Sequence, residues 1–202
     1  MTNSSHLPKL LFVGYLFLFI SLGVTPYNRD VWWAENLPIL IIALALLVSY
    51  VRGFRFSNTS YILMFVLIYL HTIGGHYTFE RVPFDWFNEL FGFERNMYDR
   101  IAHFSVGFYA YPLAEYLTKR NLMNASWLVY FTSFCFIVTV AASYEIIEWW
   151  YAAAEGGSAG AAFLGSQGDI WDAQKDMLMD SLGALAVLFL FASTHQDRLS
   201  DD

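Results

Sequence analysis

Long uncharged blocks separated by short polar stretches set the pattern of this chain. The first covers about 10–25, and the second about 34–51, ending at Arg52 and Arg55. The third, about 60–79, is wholly apolar through YILMFVLIYL and then carries His71, Gly74, Gly75 and His76. A fourth, about 98–117, opens with Asp99, Arg100 and His103 and closes at Lys119 and Arg120. The fifth, about 126–150, is apolar until Glu145 and Glu148; the sixth, about 172–192, starts acidic and ends in the uncharged SLGALAVLFLFA. About 20 residues rising 1.5 Å each cross ~30 Å of hydrocarbon. The pattern therefore predicts an all-α polytopic membrane protein, a bundle of about six transmembrane helices. It predicts one integral membrane domain over residues 1–202.

Two stretches depart from that rhythm. Residues 80–97 mix Pro83, Phe84, Trp86, Phe87 and Phe91 with acids and arginines, which suits a segment lying in the interface as an aromatic anchor or lid. Between the fifth and sixth blocks, Gly156, Gly157, Gly160, Gly165 and Gly168 read as a flexible loop; no lysine or preceding strand makes them a phosphate cradle. The first block is followed by a polar turn rather than a small-residue cleavage site, so an uncleaved helix is expected, not a signal peptide.

Composition agrees with the blocks. Apolar residues make up 57% of the 202 and charged ones only 14%, against roughly 25% in soluble domains. The single cysteine, Cys135, allows no disulfide and no thiolate metal site within one chain. A net charge of −7 argues against nucleic acid as partner. Membrane lipids are the partners expected.

Six crossings place both ends on one side. Lys9, Arg52, Arg55, Lys119, Arg120 and Arg198 fall on that side, while Arg29, Arg81, Arg95, Arg100 and Lys175 fall on the other, each near a carboxylate. Arg100 and Lys175 lie in helix starts rather than loops, so the loop cations favour cytoplasmic termini. His71 and His76, Asp99 and His103, Glu145 and Glu148, and Asp169 through Asp180 then share the opposite, periplasmic end.

The sixth block shows the chemistry most plainly. Asp172, Asp176 and Asp180 repeat at i, i+4, i+8, and with Asp169 and Gly183 they fall within roughly 80° of one helix face. Ionised groups deep in a membrane helix cost ~2.5–3.5 kcal/mol each on insertion scales. Pairing offsets part of that cost, but apolar residues would serve structure as well, so function is expected. Asp99 with His103 (i, i+4) and Glu145 with Glu148 (i, i+3) each share a helix face. Imidazole plus carboxylate without thiolate suits a divalent zinc, iron, manganese or magnesium ion. The candidate ligands are His71, His76, Asp99, His103, Glu148, Asp172 and Asp176, with Glu145 or Asp180 as general base.

Simpler roles compete for several of these. Asp169 and Asp99 suit helix N-termini, Glu148 could sit in the interface beside Trp149, and Arg100 and Lys175 could neutralise nearby acids. Glu115, four residues before Lys119, reads as a surface ion pair.

The motifs HTIGGHYTF, NMYDRIAHFSVGF, SYEIIEWW and LGSQGDIWDAQKDMLMDSLGA together resemble the YjdF family of bacterial inner-membrane proteins, over about residues 30–190. The resemblance implies a multi-pass inner-membrane protein and hands over no activity. More distantly, Asp99, His103, Glu145, Asp176 and Asp180 are similar to the polar pattern of VanZ-like membrane proteins, from which His71, His76, Asp169 and Asp172 depart.

The functional expectation is an enzyme acting on a lipid or lipid-linked headgroup at the periplasmic face. The alternatives are an ion- or proton-coupled transporter, which needs a polar path to the other side, and an accessory protein whose polar network is structural.

Overall fold

The computed structural model describes residues 6–195, the side chains at 158, 159 and 162 excepted. Arg198 lies outside the described residues. All regular structure among them is helical: α1 (Leu7–Gly23), α2 (Arg29–Val51), α3 (Asn58–Tyr77), α4 (Asp85–Phe91), α5 (Tyr98–Val106), a 3₁₀ turn (Gly107–Tyr109), α6 (Ala110–Lys119), α7 (Ser126–Glu155), α8 (Gly157–Leu164) and α9 (Asp172–Thr194). Four of these, α2, α3, α7 and α9, are long and apolar enough to cross a membrane, and α1 is a shorter apolar helix. The chain is a polytopic all-α membrane protein.

Local chemistry sets the boundaries. Asn28 Oδ1 accepts hydrogen bonds from the N–H groups of Asp30 and Val31, so α2 starts at Arg29 and takes in Glu35 and Asn36. Ser57 Oγ caps α3 in the same way, accepting from the Ser60 N–H. The fourth apolar block is divided rather than continuous. Pro112 has no N–H and its ring crowds the carbonyl four residues back, which suits the 3₁₀ turn just ahead of it. The glycine-rich connector is not a flexible loop throughout, since GSAGAAFL forms α8.

The helices assemble as two halves. In one, Tyr15 of α1, Ile39 and Ala43 of α2 and Met64, Phe65 and Ile68 of α3 form a buried core. In the other, Ala110, Tyr111 and Ala114 of α6, Ile137 of α7 and Val187 and Phe191 of α9 form a second. The halves meet where α3 packs on α5 and α6. Large apolar side chains such as Phe17, Ile41, Phe131 and Phe189 stay exposed, as lipid-facing positions do.

α5 and the 3₁₀ turn after it pack tightly against α9. A Cβ on Gly183 would collide with the Phe104 carbonyl, and one on Gly107 would collide with the backbone of Asp180 and Ala184. Only glycine lets these backbones touch, and the contact sets His103 of α5 against Asp180 of α9. On the other side of the bundle α2 packs on α3 and α8, and α7 packs on α6, α8 and α9, leaving a cleft between α2 and α7.

A one-sided polar cleft

That cleft has a volume of about 490 Å³. Along most of its length the walls are apolar: Ile42 and Leu46 of α2, Met64 and Leu67 of α3, Val106 of α5 and Ile137 of α7. Ala45 of α2 and Phe136 and Val140 of α7 line it and are themselves exposed, so it opens sideways between two membrane-crossing helices. At one end the lining turns polar, with Glu35, His71, Asp99, His103, Glu148 and Asp180. That end is also where His76 meets the end of α1 and where α9 begins.

The carboxylate stripe of α9 is buried as a unit. Asp172, Asp176 and Asp180 are 8%, 3% and 1% exposed, which charge pairing, protonation or a ligand makes tolerable. Asp172 Oδ1 takes Arg95 Nη1 at 2.6 Å and Arg100 Nη2 at 2.5 Å. Arg100 Nη1 also forms an ion pair with Asp176, without the alignment of a hydrogen bond. Asp169 precedes the helix; its carboxylate accepts from Lys175 Nζ (2.6 Å) and the Trp171 N–H (3.1 Å). Lys175 above all, with the Trp171 N–H, holds the Asp169 carboxyl below its ordinary range. Arg100 and Lys175 thus neutralise acids, and Asp169 has a local structural role.

His103 stands at the centre. Its Nδ1 lies 3.3 Å from Asp180 Oδ1, while Nε2 lies 3.7 Å from Asp99 Oδ1 and 3.8 Å from Asp176 Oδ1. Asp99 and His103 of α5 therefore meet Asp176 and Asp180 of α9. Asp180, an expected general base together with Glu145, faces Nδ1 with both carboxylate oxygens, at 3.3 and 3.4 Å. Across the cleft Glu148 of α7 is 9% exposed and makes no hydrogen bond or ion pair among the described residues. One turn earlier, Glu145 Oε1 is buried and unpartnered, though Glu145 is not among the cleft-lining residues.

The two α3 histidines behave differently from the expected ligand set. His71 faces the cleft from its other wall, its Nε2 3.0 Å from Glu35 Oε2, and Tyr144 Oη donates to the same oxygen at 3.1 Å. His76 leaves the cluster altogether. Its Nδ1 sits 2.7 Å from the Leu22 carbonyl and its ring lies edge-on to Trp32, tying α3 to α1 and α2. Glu35, Tyr144 and Arg95 are site residues that sequence reasoning did not single out. A carboxylate in an apolar helical block was the available signal for Glu35.

Glu115 is a correction at the opposite end. It is 2% exposed, not a surface residue, and pairs with Lys119 at 2.5 Å while accepting from Ser57 N (2.7 Å), Ser57 Oγ (2.8 Å) and Ser60 Oγ. It staples α6 to the capped start of α3.

The fold and cleft define a class: a multi-pass helical membrane protein with an apolar slot closed at one end by carboxylates and imidazoles. Within that class, the chain belongs to the "Predicted membrane protein (DUF2238)" family, which matches residues 7–197. It is similar to the inner membrane protein YjdF of Escherichia coli (strain K12), 34% identical over 184 residues, covering 90% of this chain and 87% of the relative. Both matches support a multi-pass inner-membrane location. Neither bears on the more distant similarity to VanZ-like proteins, and no role is taken from it. No solved structure matches the chain.

Proposed function

We propose that this protein is a membrane-embedded enzyme acting on the polar head of a lipid or lipid-linked molecule. The observation that carries this reading is the shape of the cleft: apolar walls reached from the side, ending in a cluster of buried acids and imidazoles. A molecule with that polarity places its chain between α2 and α7 and its head against His103, Asp99 and Glu148. Lys and Arg in the loops at the far end, Arg52, Arg55 and Arg120 among them, favour a periplasmic position for the polar end.

Glu148 has the environment of a proton acceptor, being buried, uncompensated and facing the cleft. In hydrolysis the water oxygen bonds to the ester centre while Glu148 takes the water's proton. The glutamate then returns that proton to the leaving oxygen as the ester bond breaks. Two observations weigh against the rival readings. The acid at the opposite end, Glu115, is held by Ser57, Ser60 and Lys119, and the stretch between is apolar, which gives a carrier no polar path. A purely structural network would pair Glu145 and Glu148, and among the described residues they have no partner.

The test uses purified protein in vesicles of total bacterial polar lipid, with lipid classes followed by mass spectrometry. Wild type is expected to convert one headgroup class, and Glu148→Gln to lose that conversion while keeping its melting temperature. No converted lipid class with folded wild-type protein would overturn the proposal.

A further inference from the structure

We infer that Asp99, His103 and Asp176 hold one divalent transition-metal ion, with Asp180 positioning the imidazole. This rests on the cleft being the working site but not on its substrate. One ligand atom from each of the three residues lies within 4.8 Å of the others. Around an ion with bonds of ~2.0–2.2 Å, tetrahedral ligand atoms stand about 3.4 Å apart. The His103 Nε2 separations of 3.7 and 3.8 Å from Asp99 and Asp176 are within a few tenths of an ångström of that.

The surroundings are those of a ligating histidine. Asp180 faces Nδ1, so that nitrogen carries the proton and the Nε2 lone pair points between the other two carboxylates. Arg95 lies 3.5 Å from Asp99 Oδ2, leaving Oδ1 toward Nε2, while Arg100 contacts Asp176 Oδ1, the oxygen that also faces Nε2 and would be shared with the ion. A second observation points to a cation. Among the described residues Glu148, nine-tenths buried, faces the same cleft without a partner, and Glu145 Oε1 beside it is buried and unpartnered. Arg95 and Arg100 are already engaged by Asp172 and its neighbours, and Lys175 by Asp169. Unpartnered carboxyl oxygens beside an imidazole at this end are therefore the kind of groups a divalent ion gathers. Two carboxylates with one imidazole, and no thiolate, suit zinc, manganese or iron over copper(I). The cleft beside Asp99 and His103 leaves room for a water or substrate oxygen as a further ligand.

The experiment is metal binding by the full chain in nanodiscs, without lipid substrate. Protein stripped with chelator is titrated with Zn²⁺ by calorimetry and with Co²⁺ by visible absorption. Wild type is expected to bind one ion per chain, and the Co²⁺ bands to report imidazole coordination. His103→Gln and Asp99→Asn are expected to abolish binding. Asp180→Asn should retain the stoichiometry with affinity lowered about 10–100-fold, the usual cost of losing the partner of a ligating histidine. His103→Gln and Asp99→Asn are expected to keep the melting temperature of stripped wild-type protein, so a general loss of fold is distinguishable. No saturable binding by wild type, or binding unchanged by His103→Gln and Asp99→Asn, overturns the inference. Lipid conversion that persists in chelator would remove the metal and leave the proposed activity standing; tight metal binding without lipid conversion would do the reverse.

Discussion

At the scale of single residues, the polar end separates groups that are paired from groups that are not. Arg100 is 4% exposed and serves both Asp172 and Asp176. Arg100→Met strands buried Asp176 and leaves Asp172 to Arg95 alone, and is expected to cost about 3–5 kcal/mol, read from unfolding in mixed micelles. Glu148→Gln instead replaces a buried carboxyl that no described residue pairs by a group of the same size, and is expected to leave stability unchanged or raised. Asp169 gives a pH dependence. Its carboxyl is held low by Lys175, so its stabilising contact is present at neutral pH and lost as pH falls through the lowered value. The melting temperature of Asp169→Asn should therefore lie below wild type at pH 7, and the gap should close under acid conditions below the ordinary carboxylate range. A gap that persisted there would mean that the carboxylate's charge is not what stabilises.

At the scale of elements, the crossing of α5 and α9 positions the chemistry. Gly183→Ala drives a methyl group into the Phe104 carbonyl. Backbone cannot step aside as a side chain can, so a cost of at least 1–3 kcal/mol is expected, roughly that of overpacking a core. The displacement should also separate His103 from Asp180, and a weakened Co²⁺ spectrum in folded Gly183→Ala protein would report it. Such contacts explain what was legible in the chain. The 3.6-residue period alone puts Asp172, Asp176 and Asp180 on one face and Asp99 above His103, and the burial of that stripe agrees with it. Periodicity within one helix says nothing about what another helix brings. Arg95 on Asp172, Tyr144 on Glu35 and His76 turned toward Leu22 are all products of packing between elements. Glu115 was misjudged for the same reason: Lys119 was visible at i+4, but Ser57 and Ser60 come from a distant part of the chain.

At the scale of the whole molecule, two half-bundles join along α3 and part along α2 and α7. The uncharged blocks made the crossing helices legible, because length and hydropathy decide them locally. The cleft was not, since no pattern in one chain segment encodes the space left between two others. Filling that space tests its role. Ala45→Trp places a large side chain at the exposed side of the cleft, away from every polar group described above. It is expected to lower lipid conversion about tenfold or more while Zn²⁺ titration stays as in wild type. Unchanged conversion would mean the slot is not the route that substrate takes.

The sideways mouth bounded by Ala45, Phe136 and Val140 has a kinetic consequence. Anything admitted through it never passes through water, so occupancy follows mole fraction in the bilayer and not bulk concentration. Diluting the target with inert lipid, at constant total amount per volume, should therefore slow turnover in proportion. The catalyst would obey the two-dimensional rate laws of an interfacial reaction.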